Sequence, residues 1–598
     1  MKKSIILLMF LPVLFGCSEM FEPALENHKD IEDLTNDSKY AQRILGHAYL
    51  GNPLRNWSFN DVATDDAVSN DPVSNYMRMA IGQWRADNSP MNNNWADRRG
   101  SIQYINIFLS ILDSVKFDLD PRINNMLIDR MRGDACGMRA LFMYHLLLEH
   151  AGWTDDGQLL GIPILTEPED SYNSDFNLPR NTMAECIEQI EKDVMVAREN
   201  LPRIYYTGST LPATVVIPEK YDGVTGPEFM RVFSAANAGG RLNATIAEAI
   251  LAQTYLLAAS PAYSAGTGVT WEMAAKQMAK VLNAGKTNSP DVIANPLGEI
   301  EAAGIEWYTI SVSGTTNPKE ILWRGDPENN GSYGLEESYF PPTLFGNGRL
   351  NPTQNLVDAF PMANGYPITD VGSGYNANNP YAGRDSRLAK YIVLNGSTAG
   401  PSSTVINTTE NGPDANALNR ERGKSTRTGY YMRKHLIQAA NPDPSSPNRV
   451  PHYKAYIRYT ELFLGFAEAA NEAWGSTDAK EGFSAYDVVK AIRKRAGVTG
   501  GDAYLESIKN DKNKMRELIR SERRLELCFE GHRFWDLRRW KAPITEPVRG
   551  MSIVRDAGTN TYTPITVEER VFADYMYYGP IPKSEVLKFN NLVQNKGW

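Results

Sequence analysis

Residues 522–540 read ERRLELCFEGHRFWDLRRW, and this stretch indicates how the rest of the chain folds around it. Leu518, Leu525 and Phe529 fall on one stripe at helical spacing, so the segment before Gly531 is predicted to be a helix. Gly531 stands where a left-handed residue would end that helix. The aromatic residues and arginines that follow predict a structural clamp of stacked rings and arginine–carboxylate bonds.

A second interpretation of this stretch makes His532 a catalytic base beside Glu530. The acids and arginines lie three or four residues apart, a spacing at which side chains pair along a helix, and this favours the structural clamp. Glu522 belongs to the apolar stripe as well, so we expect it to be buried and to stabilise the fold.

The chain begins with two lysines, an apolar run over residues 5–15 and a glycine followed by Cys17. The run is shorter than the roughly 20 residues of a membrane-spanning helix, so residues 1–16 are predicted to be a secretory signal peptide. A cysteine after a small residue resembles the lipobox of bacterial lipoproteins, which would make Cys17 the lipid-modified N-terminus. The alternative is a plain exported protein. Residues 17–37 are polar and acidic and are predicted to form a flexible tether.

Charge and cysteine content argue against two classes of protein. The formal net charge is -9, and it becomes -11 without the two lysines of the signal. This argues against a nucleic-acid partner, because phosphate binding needs a basic face. Besides Cys17 there are three cysteines, Cys136, Cys186 and Cys528, so we expect buried thiols rather than a disulfide framework.

Helical periodicity dominates two parts of the chain. The N-terminal part, residues 38–284, and the segment 457–540 contain successive amphipathic stretches with small residues at their expected crossings. They predict a mainly α-helical scaffold of tetratricopeptide-like helix pairs. Residues 285–450, at the start of the C-terminal part 285–598, are rich in Gly, Asn, Pro and Ser. They predict a loop-rich insertion, and a loop region of this length is usually functional.

No metal, cofactor or catalytic residue is predicted. His145 and His150 are five residues apart, which rotates them by about 140° around a helix, whereas zinc helices place two histidines on one face. No nucleophile elbow or phosphate-binding loop is present in the sequence. A calcium ion could bind among nearby aspartates, but their spacing fits no EF-hand loop, so no calcium site is assigned. These residues are Asp61, Asp65, Asp66 and Asp71.

Several motifs follow one another in an order typical of a single family. They are the lipobox, the GIP turn after HLLLEHAG, PTQNLVDAF, the RDSRL box, the ERRLELCFEGHRFWDLRRW block, the PIP strand and the QNKGW end. Together they resemble the SusD/RagB family, the surface glycan-binding lipoproteins of Bacteroidetes, along nearly the whole chain. Cys528 stands where the family often has Ala.

The resemblance implies a SusD-like fold, an all-helical scaffold of four tetratricopeptide-like pairs with a variable, loop-rich ligand-binding face. It also implies a lipid-anchored protein on the cell surface of the outer membrane, where it caps a TonB-dependent transporter of the SusC kind. The signature motifs are scaffold features in this family, so they identify the fold and not the ligand.

A glycan has apolar C–H faces and polar edges, so its site needs flat aromatic rings beside groups that hydrogen-bond with hydroxyls. Residues 79–95 and 306–345 contain both, and family members tend to draw their aromatic platform from these regions. We therefore expect exposed rings from the two stretches to form one flat platform. The candidate residues are Trp84, Trp307, Tyr308, Trp323, Tyr333, Tyr339, Gln83, Arg85, Asn93 and Asn330.

Burial in the core is the alternative for each of these rings. Trp84 would then anchor a loop, Trp323 would lie in a buried strand, and one ring of the Trp307–Tyr308 pair would face inward. Trp95 directly precedes a predicted helix and is expected in the core. Trp57 is a weaker candidate for the platform.

The sequence thus predicts a non-enzymatic surface protein that holds oligosaccharide on an aromatic platform and delivers it to the transporter. One alternative is a transporter lid that handles peptides or has no glycan affinity of its own. Another is a glycoside hydrolase, which needs only two well-placed carboxylates.

Overall fold

The computed structural model describes residues 37–170, 174–284, 300, 302–314, 317–328 and 330–598. The predicted signal peptide, Cys17 and the tether up to residue 36 lie outside the described residues. Within them the protein is mainly helical, and its sheets consist of paired strands. The prediction of a mainly α-helical scaffold is confirmed.

The longer helices have clear start signals in the sequence. Side chains of Asp37 and Asp120 accept amide hydrogens of the first turn of two of them, and Thr182 and Glu185 form a capping box at another. The helices of seven residues or more are α1 (Ser38–Leu50), α2 (Asn92–Ile111), α3 (Pro121–His150), α4 (Met183–Asn200), α5 (Gly226–Phe233), α6 (Ala244–Ala259), α7 (Trp271–Ala284), α8 (Tyr459–Trp474), α9 (Ala485–Arg495), α10 (Lys512–Glu526) and α11 (Arg533–Arg539).

Short helical segments connect these elements. The α-helical ones are Asn75–Arg78, Ala235–Ala238, Ser264–Thr267, Gly334–Tyr339, Gln354–Ala359, Ser386–Tyr391, Ala503–Ile508 and Lys583–Lys588. The 3₁₀ turns are Asn60–Ala63, Leu112–Ser114, Glu219–Tyr221, Ala302–Thr309, Pro342–Leu344 and Asp574–Tyr577, and Met79–Gln83 is a π-helical turn.

The long helices pack as a continuous series. Helix α1 packs on α2, α2 on α3, α3 on α4, α4 on α6, α6 on α7, α7 on α8, and α8 on both α9 and α10. Small residues permit close approach, since a Cβ on Gly465 of α8 would lie 2.8 Å from Cε of Met278 in α7. One hydrophobic core runs through the series and includes Phe142, Leu257 and Phe466. This core fixes the scaffold from which the loops extend.

The strands of the described residues form antiparallel pairs. They are β1 (Ala67–Ser69), β2 (Gly152–Trp153), β3 (Leu159–Leu160), β4 (Ile321–Arg324), β5 (Leu350–Pro352), β6 (Ile392–Val393), β7 (Thr398–Ala399), β8 (Thr404–Val405), β9 (Tyr431–Met432), β10 (Ala455–Arg458), β11 (Val548–Asp556) and β12 (Thr559–Glu568). The pairs are β1–β5, β2–β3, β4–β10, β6–β9, β7–β8 and β11–β12.

The β11–β12 hairpin was not predicted from the sequence. Strand β12 is largely exposed, so it lacks a strong apolar alternation, and Pro564 in its middle argues against a central strand. In the structure β12 pairs with β11 alone, so it is an edge strand that can accommodate a proline.

The described part of the 285–450 insertion is loop-rich but has a hydrophobic core of its own. Leu350, Phe360, Tyr391 and Tyr430 are buried in one cluster together with Phe529 from the signature stretch. The insertion is therefore packed directly against the end of α10, and its surface loops have a fixed base.

The end of helix α10 differs from the prediction. The helix stops at Glu526 rather than beside Gly531, and Phe529 itself adopts a left-handed conformation with φ 62°. The Lys434 ammonium donates to the carbonyl oxygens of Glu526 and Cys528, and Arg458 also donates to that of Glu526. These cations satisfy carbonyls at the helix terminus, so the chain can leave the helix before a glycine is reached.

The signature stretch is a buried ion-pair clamp, as the spacing of its charges predicts. Arg387 of the RDSRL box is fully buried and contacts Glu522 at 2.8 Å and Glu526 at 3.0 Å, while Arg493 of α9 contacts Glu522 at 2.9 Å. The Asp385 carboxylate binds Arg387 as well. These contacts join the insertion, α9 and α10 at one point.

A second set of ion pairs joins the same stretch to the N-terminal part. Arg533 donates to both oxygens of Asp65, and Arg524 donates to Asp66. The carboxylates of Asp65 and Asp66 are therefore engaged by arginines. No group of three or more potential ligands among the described residues is arranged to hold a metal ion.

The alternative acid–base pair at His532 is not formed. Glu530 is paired with Arg458 at 2.7 Å and with Lys434 at 2.6 Å. His532 Nε2 lies 3.9 Å from an oxygen of Glu461 instead. The alternative interpretation of His532 as a base beside Glu530 is therefore wrong, because two cations hold Glu530.

The three described cysteines are buried free thiols, as predicted. Burial raises the pKa of Cys136, Cys186 and Cys528 to about 12, which keeps these thiols protonated and unreactive at neutral pH.

Asp61 gives the fold a pH dependence that can be measured. Burial, with the nearby Asp66 charge, raises the pKa of Asp61 from 3.8 to about 7. Between about pH 4 and pH 7 the Asp61 carboxyl therefore keeps its proton in the folded protein but releases it in the unfolded chain. Its contribution to the free energy of unfolding is fully present below about pH 4 and is lost as the pH rises to about 7. We expect Asp61→Asn to match the parent at pH 4 and to be more stable than it at pH 8 in urea denaturation.

The matched control for this experiment is Asp87→Asn, because Asp87 is exposed. It should change neither value appreciably. An Asp61→Asn variant whose stability relative to the parent is the same at both pH values would contradict the assignment.

Candidate functional site

A cleft of about 1060 Å³ lies between the helical scaffold and the loops attached to the signature stretch. Its lining comes from the loop after α1, the start of α2, the end of α3, the segment from β10 into α8, and the turn between α10 and α11. A volume of this size is at the upper end for small-molecule sites and can hold more than one sugar unit.

An aromatic row of three rings, Trp57, Phe59 and Tyr339, lines one side of the cleft. The Trp57 and Phe59 rings are nearly parallel, with centroids 6.0 Å apart, and the Phe59 and Tyr339 centroids are 4.5 Å apart. All three rings are half-buried, so each packs on the protein while part of it remains accessible. The row therefore offers apolar faces to a ligand in the cleft.

The signature stretch positions this row. The Phe529 amide donates to Asp61 Oδ1 and the Asn60 side-chain amide donates to the Gly531 carbonyl, which together hold the loop that carries Trp57 and Phe59. Tyr339 ends the short helix Gly334–Tyr339. The clamp thus brings residues 57–59 and 339 together although they are far apart in sequence.

Polar groups line the same cleft. Asn56 and Asp97 are exposed, and Asn94 donates to Glu149, which pairs with buried Arg98. Deeper in the cleft the carboxylate of Glu461 accepts a hydrogen bond from the Gln253 side chain. Amide, carboxylate and guanidinium groups are the partners that sugar hydroxyls require.

At the mouth of the cleft a second aromatic contact is present. The His47 and Tyr104 rings stack with centroids 4.5 Å apart, and Tyr104 and Leu50 are exposed. Exposed apolar groups beside a polar cleft are characteristic of binding surfaces.

The structure corrects the expected exposure of Trp84. This residue is 3% exposed, its indole nitrogen donates to Ser89 Oγ, and its ring packs on Trp598 with centroids 4.6 Å apart. The expectation that Trp84 contributes an exposed face to a platform is wrong, because the C-terminal segment covers the ring. Trp84 instead anchors its loop, as the alternative interpretation expected.

The rings of the second stretch are buried as well. Trp307 and Tyr308 contact one another and pack on His435, and Trp323 donates from its indole nitrogen to the Gly240 carbonyl. Trp323 lies in β4 beneath Tyr456. Trp307 lines the cleft from behind the aromatic row but is only 1% exposed. Of these rings only Trp307 belongs to the cleft lining, and none of them forms its exposed face.

The remaining candidates are divided between the cleft and other surfaces. Tyr339 lies in the aromatic row, whereas Tyr333 is half-buried beneath the Arg449 guanidinium and is not part of the cleft lining. The exposed polar candidates that lie outside the lining are Gln83, Arg85, Asn93 and Asn330. Of the candidate set, the structure therefore brings only Trp307 and Tyr339 to the cleft.

The sequence did not predict Phe59 or Tyr104 as residues of the site. It also predicted Trp57 only as a weaker candidate, whereas Trp57 belongs to the aromatic row. The segment Asn56-Trp57-Ser58-Phe59-Asn60 alternates aromatic and polar residues in a loop, and this alternation is a sequence signal for exposed rings. Trp95 is buried in the core, as predicted.

The stacked helices and the loops attached to them define a class of mainly α-helical proteins with a loop-lined cleft. A sequence model described as "SusD family" matches residues 319–598, and a model described as "Starch-binding associating with outer membrane" matches residues 25–215. These ranges together span most of the chain, which belongs to the SusD/RagB family.

Two relatives with similar sequences agree with this assignment. SusD-like protein P2 of Formosa agariphila is 28% identical over 170 residues, and SusD-like protein P38 of the same organism is 34% identical over 98 residues. The matched segments span 28% and 19% of those relatives, and 28% and 16% of this chain.

Structural similarity extends over almost the entire chain. A SusD-like protein from Bacteroides fragilis has a TM-score of 0.69 at 21% identity, covering 96% of this chain and 99% of its own. A SusD-like carbohydrate-binding protein from the same species has a TM-score of 0.68 at 22% identity, covering 93% and 99%. A laminarin-binding SusD-like protein has a TM-score of 0.56 at 17% identity, covering 94% and 100%. At these identities the similarity establishes the fold.

None of the helices in the described ranges has the length and apolar character needed to cross a membrane.

Proposed function

We propose that this protein is a non-catalytic glycan-binding lipoprotein of the cell surface. It captures oligosaccharide in the cleft and delivers it to a SusC-like TonB-dependent transporter in the outer membrane. The observation that carries the proposal is the row of accessible rings at Trp57, Phe59 and Tyr339 along a cleft of about 1060 Å³. The family description, starch binding in association with the outer membrane, supports it.

The row suits the stacking of successive sugar rings. Apolar C–H faces of a sugar pack on aromatic faces, while its hydroxyls exchange hydrogen bonds with amides and carboxylates beside them. Because the rings are half-buried and the cleft is open to solvent, the contact area for one sugar is modest. Modest affinity agrees with a protein that must release its ligand to a transporter.

The absence of catalysis is part of the proposal. Of the carboxylates in the cleft lining, Glu149, Glu530 and Asp536 are each paired with an arginine, and a paired carboxylate is a poor proton donor or nucleophile, whereas Asp97 and Glu461 have no arginine partner among the described residues. A glycoside hydrolase, the alternative enzyme, would release new reducing ends from polysaccharide. Incubation of the pure protein with polysaccharides and a reducing-end assay separates the two functions.

A lid without glycan affinity of its own, or one that handles peptides, is the other alternative. Affinity electrophoresis of the mature protein through gels containing polysaccharides distinguishes it, because a glycan-binding protein is retarded by its ligand.

Lipid attachment at Cys17 would hold the protein at the membrane, since each buried methylene contributes about 0.8 kcal/mol.

We expect Trp57→Ala to weaken glycan binding about tenfold or more, equivalent to roughly 1.4 kcal/mol, because the variant removes one face of the aromatic row. The change is measured by isothermal titration with an oligosaccharide identified in the electrophoresis. The matched control is Phe176→Ala, which removes an exposed ring that does not line the cleft.

Phe176→Ala should bind glycan like the parent. Equal affinity of Trp57→Ala and the parent, with both folded at the assay temperature, would mean that glycan binds elsewhere.

A further inference from the structure

We infer that the cleft selects acidic glycans, with the Lys454 ammonium beside Trp57 binding the carboxylate or sulfate group of one sugar unit. This inference rests on the proposed function, since it names the chemical class of glycan that the same cleft takes. It depends on a different residue, however, so it can fail while glycan binding itself stands.

Lys454 directly precedes β10 and lines the cleft at the Trp57 end of the aromatic row. Its ammonium nitrogen lies 5.6 Å from the centroid of the Trp57 ring and donates a hydrogen bond to the Asn56 carbonyl at 2.5 Å. The residue is half-buried, so the charge lies between protein and cleft. An ammonium has three hydrogen atoms to donate, and one hydrogen bond to a carbonyl leaves capacity for a ligand.

The other cations of the cleft lining have close carboxylate partners. Arg98 pairs with Glu149, Arg458 with Glu530, Arg523 with Asp536, and Arg539 with Glu468. Arg349 lies 3.9 Å from Asp71. In the part of the chain that the structure describes, Lys454 forms no ion pair with a carboxylate.

The carboxylate that acts on Lys454 is already occupied. Glu530 attracts its charge, but the Glu530 oxygens bind Arg458 and Lys434 at 2.6–2.8 Å. Burial dominates over this attraction and lowers the pKa of Lys454 to about 8. A desolvated cation without a counter-ion costs free energy, and an incoming anion at this point would recover part of it.

An acidic sugar can stack on the Trp57 ring and bring an anion to the Lys454 ammonium at the same time. A pyranose that stacks on Trp57 carries its exocyclic groups at the ring edge, and a carboxylate or sulfate on that edge can reach an ammonium next to the same ring. The aromatic face then fixes the sugar plane, and the charge selects the acidic unit over its neutral counterpart. Lys454 would thus be a specificity-determining residue of the cleft.

The experiment compares matched acidic and neutral glycans. The probes are oligogalacturonates with their methyl esters, glucuronic-acid-substituted xylo-oligosaccharides with unsubstituted ones, and sulfated agaro-oligosaccharides with desulfated ones. The first two pairs test carboxylate and the third tests sulfate. We expect the parent to bind an acidic member at least about tenfold tighter than its neutral counterpart, as for a hydrogen bond to a charged group.

Three variants assign the preference to Lys454. Lys454→Met should reduce affinity for the acidic member about tenfold and change affinity for the neutral member less than about twofold, whereas Lys454→Arg should retain the preference. The matched control is Lys480→Met, because Lys480 also lies over a tryptophan ring, 5.3 Å from Trp474, but outside the cleft lining. Lys454→Met should fold, since it removes a desolvated charge, and thermal unfolding verifies this.

A pH titration supplies a second readout. The groups facing Lys454 are Glu530, whose pKa is held low by Arg458 and Lys434, and His145, whose pKa burial places well below its usual value. His435, which packs on Trp57, has its pKa lowered to about 3 by burial. None of these titrates between pH 7 and 9, whereas Lys454 loses its proton there. Affinity for acidic glycan should therefore fall over this range in the parent but not in Lys454→Arg.

Failure of the inference and failure of the proposed function give different results. If neutral members bind as well as acidic ones, or Lys454→Met leaves the acidic preference unchanged, Lys454 does not select the ligand, although glycan binding that is lost in Trp57→Ala stands. If only neutral glycans are bound, the inference is likewise overturned. If no glycan is bound by the folded protein, the proposed function itself fails.

Discussion

Arg387→Met should lower the free energy of unfolding by about 3–5 kcal/mol, because it removes one partner from a set of buried ion pairs. Arg387 is fully buried and binds three carboxylates, those of Asp385, Glu522 and Glu526. Methionine fills a similar volume but leaves these carboxylates with fewer counter-charges in a site closed to water. Urea denaturation followed by circular dichroism measures the change.

The matched control is Arg85→Met. Arg85 forms an ion pair with Asp87 at 3.0 Å, but both side chains are largely exposed. A surface pair of this kind contributes about 0–1 kcal/mol, so the variant should unfold close to the parent. Similar losses of unfolding free energy for the two variants would show that burial does not decide the strength of these ion pairs. A loss below about 1 kcal/mol for Arg387→Met would mean that the buried ion pairs do not stabilise the fold.

Trp84→Ala should destabilise the fold by about 3–5 kcal/mol while leaving glycan affinity unchanged at temperatures where the variant is folded. The Trp84 ring is enclosed by Trp598 and by the Arg538 guanidinium, 5.4 Å from the ring centroid. Its removal leaves a cavity between the N-terminal part and the end of the chain. Thermal unfolding and isothermal titration on the same preparation measure the two effects.

Gln83→Ala is the matched control, since Gln83 is the exposed neighbour of Trp84. Its stability should remain within about 0.5 kcal/mol of the parent. A Trp84→Ala variant with the parent's stability and a reduced affinity for glycan would restore Trp84 as a binding residue, as the sequence suggested.

The helices could be predicted because their signals are local. The amphipathic stretches predicted within residues 38–284 and 457–540 are α-helices in the structure, among them α4, α7 and α10. Apolar spacing and capping residues act within a few turns of the chain, so they can be recognised in the sequence. The end of α10 was misplaced because Lys434 and Arg458, which come from elsewhere in the chain, bind its last carbonyls.

The site was predicted less well because ring exposure is not a local property. Trp84 lies among polar residues and has the sequence environment of an exposed ring, yet Trp598 from the other end of the chain covers it. Trp57 has a similar environment and remains half-buried in the cleft. The alternation of aromatic and polar residues over 56–60 is a local signal for the exposure of Trp57, but nothing near Trp84 in the sequence shows that a distant segment covers its ring.

The sequence by itself determined the helical scaffold, the family and the structural role of the signature stretch. Periodicity, capping and charge spacing depend only on residues that are close together in the sequence. Only the tertiary structure decided which aromatic rings face the cleft and which cation in its lining forms no ion pair within the described residues. Ring exposure and polar contacts depend on segments hundreds of residues apart, such as Phe59 packed on Tyr339 or Lys454 hydrogen-bonded to the Asn56 carbonyl. Those pairings exist only after the chain has packed.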